Sequence, residues 1–455
     1  MIVIGAGISG LSAAHAAQEA GADVLVLESD AVVGGKLRSS VIDGYTFDWG
    51  ANGFLANVPE TLALVRTLGL DDALLGAADE ARRRYLYWSG GLRPIPDTLG
   101  TFLRSELVSA PGKVRALAEF ALPLVHRREE SVYDFLARHF GFEVARVFAG
   151  PLVQGISAGD PRQLSLDAMF PRLRALEASH ASLLRGLMAA RRAARASGGT
   201  QGEPRLTTFR DGGVGRLTDA LREALGDRIH LGARVTALRS RGRPGAPAGV
   251  EVRTADGRTF DDEHVVIALP AFAAADLLRD EAQSAAAALD AIRYVDVHVI
   301  ACAYDRIDVP HELDGFGYLV PRGQRVRSLG ALWGSVVFPD QAPPGKVLLR
   351  VLAGGALDPG FSDLDDDAAV AVVRRDLEVT MGITAEPERV HVTRWRRGIP
   401  QFALGHGERV QAAREGVAGA LPGVRLAGTY LDGVGVNDAV RTAAAAVRSL
   451  VRAAG

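Results

Sequence analysis

The chain is short of cysteine, of excess charge and of long apolar runs. Cys302 is the one cysteine in 455 residues, which excludes an internal disulfide and any cysteine-rich metal site. Its setting, Val299-Ile300-Ala301-Cys302-Ala303, predicts a small core residue and fits a reducing, cytoplasmic compartment. Lys and Arg number 52 against 54 Asp and Glu, a formal net charge of −2. No overall basic field therefore points to nucleic acid. No apolar stretch reaches the roughly 20 residues that cross a bilayer, because the charge-free segments 147–159 and 328–339 are shorter and carry Gly or Pro. The first residues are strand-forming, with no basic n-region and no cleavage pattern, so no secretory leader is expected. At 48% hydrophobic and 23% charged, the composition is that of a globular protein of two or three domains.

Glycine, in contrast, is plentiful and placed with a pattern. Met1-Ile2-Val3-Ile4 runs straight into Gly5-Ala6-Gly7-Ile8-Ser9-Gly10, small helix formers follow, and after Gly21 the run Val24-Leu25-Val26-Leu27 ends at Glu28. Strand, glycine turn, helix, strand and acid form the unit that binds a dinucleotide. Gly5 permits the turn, Gly7 lets backbone approach a pyrophosphate, and Gly10 lets helix and sheet pack closely. The helix N-terminus offers free N–H groups to phosphate, and Glu28 falls where a carboxylate accepts from a ribose diol. A second pair, Gly34-Gly35 followed by Lys36, and then Asp48-Trp49-Gly50-Ala51-Asn52, exceed what a nicotinamide enzyme needs. They suit a chain that passes beside a flavin, and the cofactor expected is FAD.

Further along, 59–78 reads as a helix entered at Pro59 with Leu62, Leu64, Val65, Leu68 and Leu70 inward, and Arg82-Arg83-Arg84 stands at the base of a hairpin through 96. An arginine cluster there is either a solvated strand end or a carboxylate grip. From 97 to 197 the pattern is helical, with Ser131 as an N-cap for Val132 to Phe140. Two amphipathic segments in this region either pack together or rest on a membrane. Residues 196–205 read as a connector, after which strand and helix alternate. Strand-like runs at 294–304, 316–320, 328–337 and 347–353 predict an antiparallel sheet, and 366–381 a helix. Near the end, Gly428, Gly433 and Gly435 lead from a strand into a helix whose N-terminus would face the cofactor.

The expected fold is α/β: a discontinuous FAD-binding Rossmann-like domain of the glutathione-reductase/amine-oxidase type (1–62, 206–272, 415–455), an antiparallel-sheet substrate domain (63–96, 273–414) and an α-helical insertion (97–205). The whole chain resembles the protoporphyrinogen and coproporphyrinogen oxidase family. The resemblance rests on Gly5 to Glu28, Arg82-Arg83-Arg84-Tyr85, Gly155 to Pro161, Gly315-Phe316-Gly317-Tyr318-Leu319-Val320-Pro321, Phe338-Pro339 and Gly433-Val434-Gly435. It departs at Arg210 to Val214, which is one residue longer than the family's segment, and at Ala51-Asn52-Gly53, which lacks a basic residue found in some relatives.

The resemblance implies three successive two-electron oxidations of a porphyrinogen, with FAD reoxidised by oxygen to give hydrogen peroxide. It implies cofactor contacts at Gly5, Gly7, Ser9, Gly10, Glu28, Gly34, Gly35, Lys36, Gly50, Ala51, Asn52, Val235, Gly428, Gly433, Gly435 and Val436. Substrate would meet Leu319 and Phe338 as apolar walls, Gly155 through its backbone, Arg84 through a propionate and Asn52 at the flavin. No protein group is assigned as a catalytic acid or base, and no metal is expected. Peripheral membrane contact, a homodimer and hand-over to the next enzyme of haem synthesis are partnerships it leaves open. Other readings are an amine oxidase, a carotenoid desaturase, or a flavin-holding porphyrin carrier without turnover.

Overall fold

The computed structural model describes residues 1–121, 127–180, 182–196, 205–241 and 249–454. Most of the connector expected at 196–205 lies outside them. The N-terminal strand Ile2–Ile4 sits at the centre of a five-stranded parallel sheet, between Leu25–Leu27 and Val265–Ile267, with Ile229–His230 and Val424–Leu426 at the edges. The three inner strands are short apolar runs because both faces are covered, while the edges admit His230 and Arg425. On one side lie the helices Ile8–Glu19, Arg216–Leu225 and Val436–Ala454, packed through Leu11, Leu217, Val440 and Ala443. On the other lie Ala271–Leu278, Gln283–Asp290 and His406–Ala420, packed through Ala274, Ala285 and Val417.

A seven-stranded sheet forms the second layer. Its order is 389–400, 294–305, 346–354, 328–333, 317–319, 84–88, 91–94. All neighbours are antiparallel except 317–319 beside 84–88, which run parallel. One face packs on the helix Asp366–Met381 through Cys302, Leu349, Val351, Val373 and Leu377. Cys302 is fully buried there, and burial pushes its thiol up to about 12.

The opposite face turns toward the parallel sheet, and strand register tells which residues it carries. Directly paired residues on neighbouring strands point to the same side. Arg84, Gly317, Leu332, Arg350, Ala301 and His391 therefore form one cross-strand row. Leu86, Leu319, Gly330, Leu352, Val299 and Thr393 form the next.

The helical segment caps the Leu319 end of that face. The helix Val132–Phe140 begins at Ser131, whose Oγ accepts from the Asp134 amide at 3.1 Å. Its partner Phe142–Ser157 carries Gly155, where a Cβ would sit 3.5 Å from Leu319 Cδ1. The cap is held by charge as well as by apolar packing. Glu177, with a fully buried side chain, meets Arg138 at 2.6 Å, His139 Nε2 at 3.1 Å and Arg174. Glu119 meets His139 Nδ1 at 3.2 Å and accepts from Ser182 at 2.6 Å.

Three expectations change. The helix from Pro59 stops at Thr67, because Gly69 takes a left-handed φ of +68°, and 74–76 is a strand. The run 328–337 is a strand only to Trp333 and then turns into a short helix, Gly334–Val337. The edge strand Arg389–Pro400 is missing from the sequence reading, since its arginines mimic a solvated loop.

Candidate active site

The glycine turn closes as its spacing requires. Gly5 has φ +100° and donates its amide to Leu27 O at 2.8 Å, which ties the turn to the second strand. A Cβ on Gly10 would collide with the Gly5 carbonyl, so only glycine lets this helix start here. Gly7 differs: a Cβ there meets nothing within 4 Å. Its side is open, beside the first amides of the helix, and that is the cradle a pyrophosphate needs. Ser9 is buried on the same first turn.

Glu28 is held where the acid should be. Its Oε2 accepts from the Ala6 amide at 2.5 Å and its Oε1 from Asp30 N at 2.8 Å. Val235 opens the strand Val235–Arg241 close by, with Ala233 N bonded to Glu28 O at 2.6 Å. The second glycine pair reaches the first: Gly34 N donates to Ala6 O at 2.8 Å, and Gly35 faces Gly7. FAD fits this set, because the open side of Gly7, the amide-rich helix start and the oriented carboxylate lie along one groove.

The groove continues to the seven-stranded sheet. A Cβ on Gly50 would collide with Lys36 O, so the two segments run in close contact. Lys36 Nζ donates to Gly398 O on the edge strand. Burial pushes Lys36 down to about 8. Trp395 Nε1 donates to Trp49 O at 2.8 Å, and Arg350 Nη2 donates to Gly50 O. Ala51 packs on the core of the parallel layer, and Asn52 is half-buried beside it.

From the C-terminal end come Gly428, Gly433, Gly435 and Val436. Val436 is buried in the core, and Gly435 N donates to Asp438 Oδ2 at 3.2 Å. This helix start is therefore not bare: Asp438, paired with Arg441 at 2.8 Å, takes one of its amides. The dipole's pull on a ligand's negative charge is reduced accordingly.

The substrate residues expected from sequence divide. Arg84, Leu319 and Gly155 come together at one end of the sheet face. Of the arginine cluster, Arg82 pairs with Asp79 at 2.7 Å and Arg83 with Asp314 at 2.5 Å. Arg84 has no ion pair among the described residues, and its guanidinium lies 5.3 Å from the Phe316 ring centre. Phe338 does not line open space. It is 0% exposed, covered by Ala81, Leu332 and Val337, and so backs Leu332 from behind. The loop after Gly155 also differs: Gly159 is packed against Leu164 and Gln401. The loop's residue Asp160 borders a cleft of about 410 Å³ lined also by Gln163, Arg293, Tyr294 and Asp296.

Sequence reasoning missed Arg350 and the buried Asp48. Burial raises the Asp48 carboxyl, and Ser39 Oγ (2.6 Å), Gln341 Nε2 (2.8 Å) and Val214 N (3.2 Å) hold it. A charged residue inside the apolar run Val347-Leu348-Leu349-Arg350-Val351-Leu352 was the signal for Arg350.

A glycine cradle on a parallel sheet, facing a mixed sheet under a helical cap, defines a flavin-dependent oxidoreductase. The chain belongs to the family described as flavin containing amine oxidoreductase, whose model matches residues 8–451. Within it the chain stands with the protoporphyrinogen and coproporphyrinogen III oxidases. It is 30% identical to the coproporphyrinogen III oxidase of Bacillus subtilis (strain 168), over 98% of this chain and 97% of that protein. It is 32% identical to the chloroplastic protoporphyrinogen oxidase of Oryza sativa subsp. japonica, over 97% and 86%. The crystal structure named "Putative protoporphyrinogen oxidase" from Exiguobacterium sp. 255-15 superimposes with a TM-score of 0.86 at 24% identity, covering 99% of this chain and 98% of that one. The cofactor is FAD.

Proposed function

We propose that the chain oxidises a porphyrinogen to the porphyrin with oxygen as final acceptor, releasing hydrogen peroxide. The observation that supports this most is the sheet face itself. Its rows place small and aliphatic residues, Gly317, Leu319, Gly330 and Leu332, between Arg350 beside Gly50 and Arg84, a guanidinium with no ion pair among the described residues. Bound FAD supplies the two-electron acceptor and passes the electrons to oxygen.

The protein's part is to bind, orient and keep water out. Arg84 grips a propionate at the outer end with a forked, charge-assisted bond. Leu319 and Leu332 lie against the ring. Gly155, bare of side chain, leaves room above Leu319 and brings helix backbone near the pyrrole N–H groups. Asn52 marks the end where the reacting bridge carbon meets the cofactor. No side chain is assigned as a base, since formation of the aromatic porphyrin drives loss of the remaining protons to water. An amine oxidase would present paired aromatic rings at the cofactor. Tyr430 is instead 1% exposed, packed under Gly428, and the Trp395 N–H is committed to Trp49 O.

Among the described residues, no helix is long and apolar enough to cross a membrane. The helical cap nonetheless exposes Phe142 (76%), Val114 (69%) and Leu99 (54%), which supports peripheral contact with a lipid surface as part of this reading. The test is side-by-side oxidation of protoporphyrinogen and coproporphyrinogen by the FAD-loaded protein, followed by porphyrin fluorescence. Formation of either porphyrin with matching peroxide is expected. Oxidation of neither overturns the proposal.

A further inference from the structure

Arg350 is a cation with no ion pair among the described residues. Its strand, Lys346–Gly354, lies in the middle of the seven-stranded sheet, and pairing with Leu332 and Ala301 puts its side chain on the face toward the cofactor groove. One donor goes to the Gly50 carbonyl, while Nε is buried with no hydrogen-bond partner. Asp48 is near enough to act on it through charge, yet the Asp48 oxygens are taken by Ser39, Val214 and Gln341. Among the described residues Arg350 forms no salt bridge. A guanidinium sunk in the protein with spare donors is costly unless an anion completes it. The bland role, a clamp on the Gly50 peptide, needs only one of five N–H groups.

Arg84 lies in the same cross-strand row. The steps are Arg84 to Gly317, Gly317 to Leu332 and Leu332 to Arg350. Three strand spacings of about 4.8 Å put the two backbones about 14 Å apart. Between them the row holds only Gly317 and Leu332. A porphyrinogen with carboxylate tails along one edge reaches one of these arginines. A porphyrinogen with tails on opposite edges reaches both.

We propose that Arg350 is a second carboxylate anchor, at the cofactor end of the face, and that the Arg84–Arg350 pair selects a tetracarboxylate porphyrinogen (coproporphyrinogen) over a dicarboxylate one (protoporphyrinogen). This rests on the porphyrinogen reading given above and names the substrate within it. The two substrates differ by propionate against vinyl at two positions, and a guanidinium facing a vinyl group is left uncompensated. The anchor therefore works by penalising the wrong substrate as well as by holding the right one.

The experiment uses the FAD-loaded protein and the variants Arg350→Gln and Arg350→Lys. It measures kcat/KM for both porphyrinogens, binding of coproporphyrin III and protoporphyrin IX by fluorescence quenching, and the visible flavin spectrum. Arg350→Gln should lower the ratio of coproporphyrinogen to protoporphyrinogen kcat/KM by about 10- to 100-fold, the loss of one charge-assisted contact. Arg350→Lys should recover part of that ratio. An unchanged ratio overturns the proposal, whether both activities fall together or neither moves. Should Arg350→Gln fail to fold, the ratio for Arg350→Lys decides, a fall supporting the anchor and no change refuting it. Should the wild type oxidise neither porphyrinogen, the proposed function fails. The binding arm then still judges the anchor: selective weakening of coproporphyrin III supports it, and equal affinities in wild type and variant refute it.

Discussion

The glycine-rich turn and its neighbours between Gly5 and Asn52 present mostly backbone, whereas the sheet face presents side chains on six strands scattered from Arg84 to Trp395. Backbone recognition needs little more than glycine at fixed intervals, so neighbouring residues can build it. Side-chain recognition of a broad flat ligand needs a platform. A platform of several strands can be assembled only from segments far apart in sequence. The helical cap is a third kind of part, fixed to the platform by apolar contacts and braced internally by the buried Glu177 and Glu119 clusters.

The sharpest way to break this contrast is at two glycines of one turn. Gly10→Val forces a side chain into the Gly5 carbonyl and should yield no folded protein. At Gly7 an added Cβ meets no atom within 4 Å, so Gly7→Val should fold yet stay colourless. Circular dichroism and flavin absorbance read both, and a yellow Gly7→Val protein would remove that residue from the pyrophosphate cradle. Next in size is the brace of the cap. Glu177→Leu strips Arg138, Arg174 and His139 of a shared buried partner and should cost about 3 kcal/mol in denaturant unfolding. A change under about 1 kcal/mol would mean that apolar packing alone holds the cap.

Arg84→Ala probes the platform itself. It should raise the porphyrinogen KM about tenfold or more while kcat changes little, since the lost contact lies away from the reacting carbon. An unmoved KM would place the outer carboxylate elsewhere. The smallest effect is on pH dependence. Burial against the Phe402 ring, with centroids 3.9 Å apart, pushes His406 down to about 4. Below the usual histidine value of 6.5 the unfolded chain takes up a proton that the folded chain refuses, so stability falls as pH drops from about 6.5 to 4. His406→Phe should flatten that limb, and an unaltered slope in thermal melts across this window would assign it to other groups.

The same contrast explains what could be read from sequence. Gly5 to Glu28 and Gly34-Gly35 were legible because their constraint is local: turn, helix start and acid follow one another. Asp366–Met381 and the Ser131 N-cap were legible for the same reason, through period and cap. The parallel sheet also emerged, since its three inner strands are unmixed apolar runs. The setting of Arg350 was not legible, because it depends on pairing with Leu332 and on facing Gly50, both set by tertiary structure. Phe338 was placed on the wall by resemblance, yet Leu332 and Ala81 cover it. The edge strand 389–400 stayed hidden because four arginines outweigh its few inward residues. Asp48 was quoted only as part of a glycine-bearing stretch, whereas folding makes it the hub joining Ser39, Val214 and Gln341.

A porphyrinogen bound on the sheet face should give its electrons to the flavin in the glycine cradle. Mixing FAD-loaded protein with porphyrinogen in the absence of oxygen tests this directly. The visible flavin band should bleach as porphyrin fluorescence appears, and admitting air should restore it. A flavin that stays oxidised while porphyrinogen is bound would contradict the account and leave a carrier in place of an enzyme.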